Sequence, residues 1–133
     1  MMDPVPTELK LLGAAVVIGL VQIFLGVGAA TRDNGSAWNV GPRDVPVPPG
    51  VLAGRLDRAL RNFLETFPLF AAMLLADVIA GKLGHLTLWG SWLYVVARAV
   101  YVPLYAMGVP IVRSLVWMVS LVGFVMVTAA LFQ

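Results

Sequence analysis

Apolar stretches alternate with short polar breaks along this chain. Leu11 to Ala30 runs without a charge, and Gln22 is its one strongly polar side chain. A helix of that length crosses a hydrocarbon layer of ~30 Å at about 1.5 Å per residue. Thr31 to Gly50 interrupts the pattern with Asn34-Gly35, Gly41-Pro42 and Pro46-Val47-Pro48-Pro49-Gly50. This is turn punctuation and predicts a loop. Val51 to Gly81 predicts a second helix of ~46 Å, longer than the hydrocarbon. Its first turns, with Arg55 and Asp57, therefore project into headgroups or water. Pro68 lies inside it and predicts a kink. Gly81-Lys82-Leu83-Gly84-His85 is a tight connection. A third helix is predicted over Leu86 to Met107, with Trp89 and Trp92 near its start as an aromatic belt. Gly108-Val109-Pro110 ends it. The last helix, Ile111 to Phe132, carries a single charge, Arg113.

The pattern predicts an all-α membrane protein: one domain over residues 1–133, a bundle of four transmembrane helices at about 8–30, 51–81, 86–107 and 111–132. A cleaved signal peptide competes for the first run, because Gly28-Ala29-Ala30 is small enough for a cleavage site. The run exceeds a signal core of ~7–15 residues and lacks a basic lead, so it reads as a membrane helix.

Two helices carry polar stripes. Arg58, Asn62 and Glu65 stand at i, i+4 and i+7 and share a helical face, with Arg61 adjacent. Tyr94, Arg98, Tyr101 and Tyr105 fall on one face of the next helix. A charged side chain at the bilayer centre costs roughly 2.5–3.5 kcal/mol or more, so such groups usually face a bundle interior and mark a site. Arg98 is near mid-span and needs an anionic partner, either Glu65 or a bound anion.

Composition narrows the class. Charged residues make up 12% of the chain and hydrophobic ones 60%, against about 25% charged in a soluble domain. No basic aromatic strip suits nucleic acid. Cysteine is absent and there is one histidine, which leaves no thiolate ligand and no metal-binding spacing. Arg32, Arg43, Arg55, Arg58 and Arg61 cluster around the first loop, opposite Lys10 and Lys82. The positive-inside rule puts that loop in the cytoplasm and both termini outside, in the inner membrane if the cell is bacterial. The bland readings are then specific. Arg55, Arg58 and Arg61 act as headgroup anchors, and so does Arg113. Tyr94 is a packing residue. Asp77 has a capping or interface role. Arg43-Asp44 is a local loop pair, His85 a solvated turn residue, and Trp38, Trp89 and Trp92 interfacial anchors.

If the stripes line one cavity open to the cytoplasm, its chemistry defines a ligand. Several arginines suit carboxylates, one carboxylate suits an ammonium, and Asn62 suits an amide. The ligand is an anionic, peptide-like zwitterion. An arginine beside a thiol on it would favour the thiolate.

The run Arg58-x-x-Arg61-Asn62-x-x-Glu65-x-x-Pro68, with Arg98-x-x-Tyr101-x-x-x-Tyr105 and Arg113-Ser114, resembles the MAPEG family, membrane-associated proteins in eicosanoid and glutathione metabolism. The likeness covers about residues 40–132. It implies a homotrimer of four-helix protomers with glutathione as co-substrate, bound between subunits in the cytoplasmic half. It assigns tripeptide binding to Arg58, Arg61, Asn62, Glu65, Arg98, Tyr101, Tyr105 and Ser114. Glu65 would take the γ-glutamyl amino group, and Arg113 would stabilise the thiolate as the catalytic residue. Arg32 is a further candidate for the ligand. Thr66 stands where some members have tyrosine, Trp117 replaces a tyrosine one turn after the catalytic arginine, and the segment from Tyr105 to Arg113 is one residue shorter. The implied activity is glutathione transfer to, or peroxide reduction of, a lipophilic small molecule delivered from the lipid bilayer. The alternative is a non-catalytic scaffold of the same shape that binds a lipid or hydrophobic ligand. A small multidrug transporter fits worse, since such proteins carry a carboxylate in the first helix and Leu11–Ala30 has none.

Overall fold

The computed structural model describes residues 3–133. These form five helices and no strand: α1 (Thr7–Asn34), α2 (Ser36–Val40), α3 (Val51–Ile79), α4 (His85–Ala106) and α5 (Ile111–Leu131). Three of them, α1, α3 and α5, are long and apolar enough to cross a membrane, so the protein is a multi-pass integral membrane protein. α4 has 22 residues, enough to span, but its Arg98, Tyr and Trp content keeps it out of that set. Its polar residues are not wasted on lipid. Thr87, Ser91, Tyr94, Arg98 and Tyr101 are all buried against the other helices.

The long helices run up and down. α3 and α4 are antiparallel, as three pairs along them show: Phe70 stacks on Tyr94 at 4.0 Å between ring centroids, Asn62 bonds Arg98, and Arg58 bonds Tyr105. The main apolar core lies around Phe70 and Tyr94, where Leu74 of α3 is joined by Leu11 and Ala15 of α1 and Val127 of α5. A smaller cluster of Ala29, Ala53 and Leu56 joins α1 to α3 near the first loop. At the far end, Thr87 donates to the buried Glu8 carboxylate at 2.9 Å and ties the start of α1 to the start of α4.

Small residues set the α4–α5 distance. A Cβ built on Gly123 would lie 2.4 Å from the Gly90 carbonyl oxygen and 2.7 Å from the Tyr94 nitrogen. Both are backbone atoms, which cannot swing aside. Close approach through small residues is how helices associate where lipid removes the hydrophobic drive between them.

The structure corrects several expectations. α1 continues four residues past Ala30, through Arg32 and Asp33, until Gly35 at φ 83° turns the chain. The change to polar residues at Thr31 therefore did not end the helix. The expected loop contains α2. Arg43 does not pair with Asp44. Its guanidinium donates to the Asn39 carbonyl oxygen at 2.5 and 2.9 Å, capping α2, and lies over the Trp38 ring at 5.5 Å. Trp38 is thereby partly buried. Asp77 caps nothing: it is fully buried, and both carboxylate oxygens lack a hydrogen-bond partner. Pro68 lies inside α3, as expected, and the helix continues on both sides of it from Val51 to Ile79. His85 is exposed as expected but opens α4.

Candidate functional site

The end of the bundle near the first loop gathers the start of α3, the end of α4 and the start of α5. Arg55 fixes their relative position. Its Nη1 donates to the Ala106 carbonyl oxygen at 3.2 Å, one of the acceptors left over at the C-terminus of α4. The same guanidinium fills the space beside Gly108, where a Cβ would come within 2.7 Å of it, and Gly108 has φ 74°. Both constraints favour glycine at this turn. α5, and with it Arg113, starts from that clamped turn.

Six of the predicted residues meet here. Arg98 is 1% exposed. Its Nη1 donates to Asn62 Oδ1 at 2.8 Å, and its plane lies 4.6 Å from the Tyr101 ring centroid and 5.6 Å from that of Phe63. Nε and Nη2 have no partner. Tyr101 meets Tyr105 edge to face at 5.6 Å. Tyr105 is then shared by two cations. Arg58 Nε donates to its hydroxyl at 3.2 Å, and the Arg113 guanidinium lies 4.4 Å from its ring centroid. Asn62, Arg98, Tyr101, Tyr105, Arg58 and Arg113 thus form one continuous chain of contacts across three helices.

The other three predicted residues do not join this chain. Arg61 pairs with Asp57 at 2.9 Å, one turn back on the exposed side of α3. Ser114 donates to the Pro110 carbonyl oxygen of its own helix. Glu65 is exposed and, among the described residues, makes neither an ion pair nor a hydrogen bond. The expected Glu65–Arg98 pair is therefore absent, and Asn62 takes its place as the neutral acceptor. Arg32 is at the same end of the bundle, turned toward Asp33 at 3.4 Å.

Sequence reasoning gave Thr66 and Phe63 no place in the site. Thr66 and Tyr94 share a hydrogen bond at 3.0 Å that continues the polar seam toward the core. Thr66 stands four residues after Asn62, so the α3 stripe already pointed to it. Phe63 lies beneath Arg98, which spacing alone does not reveal.

The electrostatics are lopsided. Three guanidiniums converge on two tyrosines and one amide, with no carboxylate among them. Cation–π contacts contribute roughly 0.5–2 kcal/mol each, while burying an ion costs several kcal/mol. Aromatic faces alone leave the deficit standing, and the free donors on Arg98 are where an anion would remove it.

A membrane-crossing helical bundle with an arginine- and tyrosine-lined polar site at one end is thus the class of protein that fold and site define. A sequence model of the MAPEG family matches residues 11–133, and the chain belongs to that family. No curated protein matches it.

Proposed function

We propose that the protein is a glutathione-dependent enzyme acting on lipophilic electrophiles, and that the Arg58–Arg98–Arg113 cluster binds the tripeptide. The observation that carries this reading is Arg98: fully buried, two nitrogens unsatisfied, no acidic partner. Family membership supports glutathione as the anion. Its carboxylates match the guanidiniums, and Asn62 matches an amide. Arg113, at the start of α5, stabilises the sulfur as thiolate. In conjugation that sulfur bonds the electrophilic carbon and the leaving group departs with its electron pair. In peroxide reduction two thiols supply two electrons and become a disulfide, while the peroxide leaves as an alcohol and water. The second substrate arrives sideways through the bilayer.

The working unit in this reading is a homotrimer in which all four long helices, α4 included, cross the membrane. The exposed face of α3 supports an oligomer. Arg61 and Glu65 point out of the protomer at the margin of a lipid-crossing helix, where an unpaired carboxylate is costly. A second copy on that face brings Glu65 to a ligand held between subunits, where it accepts from the γ-glutamyl ammonium. Arg32, Arg43, Arg55, Arg58 and Arg61 put this end in the cytoplasm by the positive-inside rule, within reach of soluble thiols.

The test is difference spectroscopy on purified protein with glutathione. A thiolate band in the near ultraviolet is expected in the wild type and absent in Arg113→Ala. Glutathione binding without the band in the wild type supports the non-catalytic scaffold instead. Glu65→Gln is expected to weaken glutathione about tenfold, in line with loss of a charge-assisted hydrogen bond. Unchanged affinity removes Glu65 from the site.

A further inference from the structure

A second polar feature lies away from the arginine cluster. Gln22, on α1, is 2% exposed, and neither its Nε2 nor its Oε1 has a hydrogen-bond partner. It lines a groove of about 370 Å³ between α1 and α4, with Ile18, Leu25, Leu56, Ala99 and Pro103. The groove is otherwise almost wholly apolar. Pro103 has no N–H, so the Ala99 carbonyl, four residues earlier, loses its helical donor. Gln22, with both donor and acceptor unspent, therefore lines the same groove as Ala99 and Pro103. Burying such groups unpaired is strongly unfavourable, above all within lipid. This is a separate place from the arginine cluster. Ala99 and Pro103 stand on the next face of α4 around from Arg98, Tyr101 and Tyr105.

We infer that this groove binds a hydrocarbon chain carrying an uncharged hydroxyl partway along its length. The hydroxyl accepts from Gln22 Nε2 and donates to Gln22 Oε1, which gives each polar atom of the amide a partner. An ether or ester accepts only, and an ammonium or carboxylate brings a charge with no counter-ion in the groove. Depth fixes where the hydroxyl sits on the ligand. Gln22 is near the middle of the 28-residue α1, well below headgroup level, so the group belongs to the chain rather than to a lipid headgroup. A water supplies the same hydrogen bonds but takes only about 30 Å³, leaving most of the groove empty. Exposed Val17, Val21 and Leu25 at the lip open it sideways to the bilayer.

The experiment is photolabelling of the full-length protein in nanodiscs. Three phosphatidylcholine probes carry a diazirine mid-chain, beside a hydroxyl, beside its methyl ether, or on the plain chain. Labelled residues are mapped by mass spectrometry. The hydroxyl probe is expected to label the Ile18–Leu25 and Ala99–Ala106 segments roughly fivefold or more above the ether, the factor one net hydrogen bond supplies. In Gln22→Leu the preference is expected to vanish while labelling by the plain chain persists. Equal labelling by all three probes on the unaltered protein overturns the proposal, because the groove is then a generic lipid contact with water on Gln22. No labelling there also overturns it, since another copy or helix then covers the groove. Neither result depends on glutathione binding, so this proposal and the function above stand or fall apart.

Discussion

Arg98→Met is expected to lower glutathione affinity about a hundredfold or more, the scale of removing one partner of a buried charged hydrogen bond. The unliganded protein is expected to stay as thermostable as before, or to become more so. The two effects have opposite signs for one reason. Arg98 is buried with a single hydrogen bond, to Asn62, and with Nε and Nη2 unsatisfied. Replacing a buried, poorly paired ion by an apolar side chain of similar length relieves desolvation. It leaves only the Asn62 carbonyl without its donor, and Asn62 is partly accessible. When ligand binds, however, those same free nitrogens become the strongest anion donors in the site. Arg98→Lys is not expected to rescue, because an ammonium cannot reach Asn62 and a carboxylate with the same planar fork. Calorimetry or tryptophan fluorescence gives the affinity, and a thermal melt in detergent gives the stability. A melt that collapses in Arg98→Met without ligand would make Arg98 a structural keystone and remove the main support for the binding reading.

Gly123→Val is expected to prevent native folding or to destabilise the bundle by several kcal/mol, at or beyond the upper end of overpacking costs of about 1–3 kcal/mol. The Cβ would come within 2.4 Å of the Gly90 carbonyl oxygen and 2.7 Å of the Tyr94 nitrogen. Neither can move without parting α4 from α5. Separation at Tyr94 disturbs the Phe70 stack and the Thr66 hydrogen bond, so ligand binding is lost with stability. Gly13→Ala is the control. A Cβ there meets nothing within 4 Å, and replacing glycine inside a helix contributes up to about 1 kcal/mol of stability. Equal melting temperatures for Gly123→Val and wild type would mean that α4 and α5 pack differently from the structure described.

How much of this was legible in the sequence depends on which force places each residue. Helix positions followed hydrophobic runs and turn punctuation, so every long helix fell within a few residues of its place. Side-chain partners were harder. The Arg98–Asn62 contact follows from two in-phase stripes on adjacent antiparallel helices. That Arg98 takes the neutral amide and not Glu65 is decided by the rotation of α3, which turns Glu65 outward. Helical spacing puts both residues on one face, and that face is broad enough to point one inward and one out. α2 was hidden because five residues give no periodicity to read. Arg43 was paired with its neighbour in sequence, while the α2 C-terminus offered a better acceptor. Gln22 was visible as the lone polar residue of α1, but the groove beside it required α4 in place.

The bond between Glu8 and Thr87 joins residues 79 positions apart. The first membrane helix is made long before its partner leaves the ribosome, so until α4 is synthesised its carboxylate must be satisfied by water or lipid headgroups. α1 therefore completes its docking late, and the order of insertion is not the order of assembly.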